Sequence, residues 1–206
     1  MKYFSLIMLV FFLSCANKEE VLLPKASATI VKKIEDHSPI YIFFRAKGKD
    51  TLAEVNRKNS IITTNWILNV DKRLPLRLVI PEVMNLQKRK REEKDHRNES
   101  ALNYYSYADT IGKNLAFLPF TELHYKIEKP KAGVVVFFTT NDVILVDAVL
   151  VKKEKMQAYL NSVVGDKLPQ YIFCFDKNLD FGSYIQNKIF IESLKVSNRS
   201  TEEYIY

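Results

Sequence analysis

Two stretches decide how this chain is read: Trp66-Ile67-Leu68-Asn69-Val70-Asp71-Lys72-Arg73-Leu74-Pro75-Leu76-Arg77-Leu78-Val79-Ile80 and Tyr171-Ile172-Phe173-Cys174-Phe175-Asp176-Lys177-Asn178-Leu179-Asp180-Phe181-Gly182-Ser183-Tyr184-Ile185. They align without a gap at an offset of 105 residues. Five of the fifteen columns are identical: Ile67/Ile172, Asp71/Asp176, Lys72/Lys177, Leu74/Leu179 and Ile80/Ile185. Most other columns set apolar against apolar. A short apolar run closed by turn residues reads as a buried strand. The aspartate at its end can accept backbone N–H bonds and so fix a tight turn. A helix then packs back on the strand. Asp71 and Asp176 are therefore structural turn residues, with Lys72 and Lys177 beside them in water. An apolar strand ending in Phe-Phe precedes each copy, at Phe43-Phe44 and Phe137-Phe138, but at a different offset.

Working outward, Pro39 disfavours helix at Ser38 and opens a strand over residues 40–44, with a turn at 47–50. Residues 51–58 are ambiguous. Residues 61–70 are β-rich, with a break at Asn65. Leu76, Val79, Ile80 and Val83 have helical spacing, and Pro81 must either kink that helix or mark its first turn. Residues 98–112 read as another helix, on the stripe Leu102, Tyr105, Ala108 and Ile111. Leu123, Tyr125 and Ile127 alternate as a strand. Residues 134–138 and 143–146 flank a hairpin turn at 139–142. Residues 152–164 read as a helix that Gly165 can cap, and Pro169 precedes a strand at 170–175. Phe181, Tyr184, Ile185, Lys188 and Ile189 share one face of a last helix. The expected fold is α+β: two strand–turn–helix halves, each a two-layer α/β sandwich. The halves span residues 39–97 and 98–206, and the repeat opens the reading of an internal duplication.

The N-terminus carries an address. After Met1-Lys2, residues 3–14 are almost wholly apolar, and Cys15 follows. A bilayer-spanning helix needs about 20 apolar residues; twelve is the length of a signal-peptide core. The arrangement, with small Ser14 at the cleavage point, resembles the lipobox of bacterial lipoproteins, although Phe12 stands where that family usually has Leu. The resemblance implies a signal peptide and lipidation site over residues 1–15, with Cys15 the lipid attachment. The alternative is an ordinary cleaved secretory signal. Cys15-Ala16-Asn17-Lys18-Glu19-Glu20 also resembles the lysine-then-acids signal that flips lipoproteins to the outer face of the outer membrane. Acyl chains on Cys15 would anchor the chain without a spanning helix. Residues 16–38, with Pro24 and Lys32-Lys33, read as a tether.

Removing residues 1–14 leaves 192, enough for one medium domain or two small ones. Cys174, among apolar neighbours, reads as a small buried hydrophobe. The formal charge is +7. Much of the excess lies in residues 88–97, six bases against three acids. Mixed signs at helical spacing describe a solvated helix end, and an exported chain rarely meets nucleic acid. Tyr104, Tyr105 and Tyr107 could stack on sugars, or pack a core. His37, His96 and His124 have no metal spacing. No nucleophile elbow, P-loop or dinucleotide fingerprint appears. Asp142 and Asp147 suit turns better than catalysis, as do Asp71 and Asp176. No enzyme, cofactor or metal is expected.

The units Asp71-Lys72-Arg73-Leu74-Pro75-Leu76 and Asp176-Lys177-Asn178-Leu179-Asp180-Phe181 resemble the periplasmic domain of the ExbD/TolR family of biopolymer-transport proteins. There a strand runs into Asp-Lys, often Val-Pro-Tyr, and then a helix. Residues 134–194 follow the family's order of strand, hairpin strand, helix, strand, helix. The resemblance implies a non-enzymatic module that pairs and meets envelope transport proteins. The family's transmembrane helix carries an aspartate for proton coupling. Residues 3–14 hold no acid, so that function does not transfer. With both halves family-like, the chain reads as a covalent pseudo-dimer with a transport-accessory or protein-interaction role. The alternative is a surface lipoprotein that binds a glycan or other ligand through the tyrosines and basic patch. Buried tyrosines and matching halves favour the first; exposed aromatics beside a groove favour the second.

Overall fold

The computed structural model describes residues 19–93, 98–163 and 169–206. Cys15 and the residues 1–14 expected as a signal peptide, His96 and Gly165 lie outside the described residues. The first sheet is built from β1 (Lys25–Ala26), β2 (His37–Lys47), β3 (Asp50–Asn56), β4 (Asn65–Val70), β5 (Asn103–Asp109) and β6 (Asn114–Pro119). The second contains β7 (His124–Lys126), β8 (Val134–Phe138), β9 (Ile144–Val146), β10 (Val149–Val151), β11 (Tyr171–Phe175) and β12 (Glu202–Ile205). Helix α1 (Leu76–Glu92) follows β4, and α3 (Phe181–Ser193) follows β11. A 3₁₀ turn (Lys153–Lys155) leads into α2 (Met156–Ser162). The architecture is α+β with two mixed sheets.

The sheets share one topology. The first runs β1-β5-β4-β2-β3, with β6 also on β5; the second runs β7-β12-β11-β8-β9, with β10 added at the end. Direction matches at each step. β1–β5, β5–β4 and β4–β2 are parallel, as are β7–β12, β12–β11 and β11–β8. The hairpins β2–β3 and β8–β9 are both antiparallel. Asp71 N–H bonds to Ile42 O and Asp176 N–H bonds to Phe138 O, each at 3.0 Å. Phe138 is thus the counterpart of Ile42, two residues away from the Phe-Phe match read in the sequence.

Residues 98–112 are a correction: they form β5 and a turn, not a helix. Along β5 the buried residues alternate as Asn103, Tyr105, Tyr107 and Asp109, with Ser106 also enclosed. Aromatic residues favour such a pleated surface, and β4 offers a parallel neighbour over Trp66–Leu68. The boundary drawn at 97/98 therefore falls inside the first sheet, and the chain changes sheets between β6 and β7. Within the stretch expected as a tether, Lys25–Ala26 form a strand, and β1 pairs with Ala108 and Asp109. Ile34 packs with Ile67 and Phe117 in a small outer cluster.

One core joins the halves. It contains Ile40, Ile42, Leu68 and Val70 from the first sheet, and Val136, Phe138, Phe173 and Phe175 from the second. Val79 and Ile80 of α1 enter it alongside Tyr184 and Ile185 of α3. Burying each such side chain contributes ~1.5–3 kcal/mol. Helix α1 starts after Pro75 and carries Pro81 in its second turn, where the missing N–H leaves Arg77 O without its helical partner. Helix α3 is capped by Asp180, whose side chain accepts from Ser183 N at 2.9 Å. Among the described residues no helix is long and apolar enough to cross a membrane.

Candidate functional site

The two Asp-Lys turns come together. Leu76 N–H donates to Leu179 O at 2.9 Å, and Phe181 N–H donates to Leu74 O at 2.8 Å. Arg77 N–H donates to Lys177 O at 2.8 Å, and Gly182 N–H donates to Lys72 O at 3.0 Å. Adding or subtracting 105 turns each bond into its partner. Pro75 and Asp180, themselves 105 apart, form the antiparallel bridge at the centre. This is the pattern of an isologous contact, in which one surface meets its own equivalent. Gly182 permits the crossing: a Cβ there would lie 3.2 Å from Lys72 Cβ and 3.0 Å from Asp180 Oδ1.

The two aspartates accept turn hydrogen bonds in unequal number. Asp71 is fully buried. It accepts from the backbone N–H of Arg73 at 3.1 Å and of Leu22 at 3.3 Å. The Arg73 guanidinium grips it twice, at 2.9 and 2.7 Å, and lies over the Phe44 ring at 4.4 Å. Burial pushes the Asp71 carboxyl up, but the Arg73 side chain and the N–H bonds outweigh it and hold the group below its ordinary value. Asp176 is half-buried and accepts from Asn178 N at 2.8 Å. Lys177 is exposed, whereas Lys72 is half-buried. Their N–H groups are matched too. Lys72 donates to Leu22 O at 2.8 Å, and Lys177 donates to Tyr206 O at 3.1 Å. The N-terminal segment thus does for the first turn what the C-terminal residue does for the second.

The tyrosines read as a sugar platform are divided by the strand. Tyr105 and Tyr107 are fully buried, and Tyr104 packs beside the outer cluster. Tyr105 OH meets Tyr125 OH at 2.8 Å, Tyr125 OH meets Tyr184 OH at 3.1 Å, and Tyr184 OH donates to Glu203 Oε2 at 2.8 Å. Glu203 Oε1 takes the Lys188 ammonium, and both side chains are almost wholly enclosed. Burial pushes Lys188 down, against the pull of Glu203, and pushes the three tyrosines well up. Sequence reasoning missed this network. Its one signal was a lysine on the apolar stripe of the last helix.

The remaining candidates hold local bonds. Asp142 pairs with Lys153 at 2.7 Å, and Asp147 accepts from Val135 N at 2.9 Å. His37 and His124 sit at the surface with Nδ1 at 3.0 Å from Ile34 O and Glu122 O. Burial pushes the Cys174 thiol up to about 12, which leaves it unreactive. Lys90, pushed down to about 8 by burial, donates to Thr64 O, Leu102 O and Asn103 Oδ1 within 3.3 Å. Its N–H groups are thereby spent on the protein. A largely apolar groove of about 590 Å³ runs between residues 25–30 and α3, past Ile30, Ile189 and Phe190. Among the described residues no cluster of three or more His, Cys, Asp or Glu could hold a metal ion. No protein-family model, curated protein or solved structure matches the chain.

Proposed function

We propose that the chain is a non-enzymatic envelope lipoprotein, anchored to the outer membrane through Cys15. Its paired halves then form an ExbD/TolR-like protein-interaction module with a transport-accessory role. The observation that carries this reading is the exchange of equivalent bonds at the two Asp-Lys turns. Together with the common strand order, it is what an internally duplicated pairing module would build. Burial of Tyr105 and Tyr107 supports this reading over the glycan-binding alternative, which drew on the tyrosines and the basic patch. The aspartates are occupied by N–H groups and a guanidinium, which suits structure rather than proton transfer. Envelope proteins, and not nucleic acid, are the expected partners.

The test is in-cell crosslinking followed by affinity isolation from membranes. Recovery of envelope transport proteins with the wild type is expected, together with their loss when Gly182→Val disturbs the paired turns. Recovery of the chain alone would count decisively against the reading.

A further inference from the structure

We infer that the chain forms a reversible dimer with a second copy through the outer edge of β3. The two sheets differ at their hairpin ends. Strand β9 is the counterpart of β3, and its outer edge is covered by β10. Val149 lies opposite Val146 and Val151 opposite Ile144. Strand β3 ends its sheet with nothing paired beyond it among the described residues.

The geometry of that edge is set by its neighbours. Asp71 N–H bonds to Ile42 O, so the peptide groups of Ile42 and its alternates point toward β4. Those of Tyr41, Phe43 and Arg45 point toward β3, where they meet Asn56, Glu54 and Leu52. The N–H and C=O groups of Thr51, Ala53 and Val55 therefore point outward, and their side chains lie on the core face. Ala53 and Val55 already pack against the core. A strand added here must present small or β-branched residues on that same face, as β10 does to β9.

The β3 strand of a second copy meets this requirement. An antiparallel register centred on Ala53 pairs all seven residues of Asp50–Asn56. Ala53 faces Ala53, Thr51 faces Val55, and each outward peptide group gives and takes a hydrogen bond. On the other face Asp50 lies opposite Asn56, and Leu52 lies opposite Glu54. No like charges stand directly opposed, a condition that neighbouring registers fail. Centring on Leu52 sets Asp50 against Glu54, and centring on Glu54 sets that residue against itself. The result is a two-fold contact, the commonest way for identical chains to associate. A single strand pairing is small beside the ~1,600 Å² of a standard interface, so association depends on concentration.

Sedimentation velocity on the full-length chain over a concentration series tests this. The wild type should shift from monomer to dimer as concentration rises. Ala53→Pro removes an outward N–H that β2 does not use, and should weaken association by roughly tenfold or more. Asn56→Lys sets a lysine against Asp50 and should tighten it, whereas Asn56→Lys with Asp50→Lys should weaken it. Under mild oxidation, Ala53→Cys should give a disulfide-linked dimer across the axis. Asp50→Cys should not, because its two copies lie at opposite ends of the pairing; wild type sets the background. A wild type that stays monomeric at every concentration overturns the inference, as does Asp50→Cys crosslinking as readily as Ala53→Cys.

Discussion

Phe181 donates its backbone N–H to the carbonyl oxygen of Leu74 at 2.8 Å, and the bond recurs with the halves exchanged, from Leu76 to Leu179 at 2.9 Å. Each helix therefore begins against the turn that launches the other. Helix starts leave backbone N–H groups without internal partners. Here each half satisfies some of those groups for its counterpart, so neither turn is complete alone.

Gly182 leaves little room for a side chain at that crossing. Alanine would gain about 1 kcal/mol of helix propensity over glycine, yet its Cβ would press on Lys72 Cβ and Asp180 Oδ1. Valine adds two methyl groups to the same gap and should be clearly destabilising, by about 1–3 kcal/mol. Urea denaturation of Gly182→Val checks this; an unchanged midpoint would show that the turns do not bear on each other.

Asp71 should matter more than Asp176, although the sequence repeats them. Asp71→Asn removes the charge that the Arg73 guanidinium grips and turns one of the two accepting oxygens into a donor, and should cost about 1–3 kcal/mol. Asp176→Asn, half-exposed with one such bond, should cost less than about 1 kcal/mol. Because Asp71 titrates below its unfolded value, its contribution is fully present above about pH 4 and is lost as pH falls through the folded value. The thermal-melt gap between wild type and Asp71→Asn should therefore shrink in acid. A gap that is constant with pH would contradict the assigned role.

The Lys188–Glu203 pair should show strong coupling. Glu203→Leu alone strands a buried ammonium and should cost about 3–5 kcal/mol, as should Lys188→Met, which strands the carboxylate. Combining the two should cost well below the sum of the singles. Additive costs would mean that the two charges do not depend on each other.

What was legible in the sequence was local. Asp71-Lys72 and Asp176-Lys177 each sit where a strand, a turn and a helix start follow within fifteen residues, so the pattern survives without knowledge of the rest. Strands β1, β6 and β12 left no such mark; the two residues of β1 carry no periodicity, and their pairing depends on where β5 lies. Strand β5 itself was misread because Leu102, Tyr105 and Ala108 keep helical spacing, while the tyrosines also alternate. Tertiary pairing with β4 decided between the two. Lys188 was placed on the correct apolar face, but the acid that tolerates it there is fifteen residues on, in a strand that the pattern did not disclose. The lipid-attachment reading of Cys15 came from sequence alone.

That reading is also the one on which the functional account rests most heavily. Mass spectrometry of the N-terminal peptide, from chain purified out of membranes, tests it directly. The expected peptide begins at Cys15 and carries the added mass of acyl chains, absent from Cys15→Ala. A peptide that begins at Met1 with no added mass would contradict it.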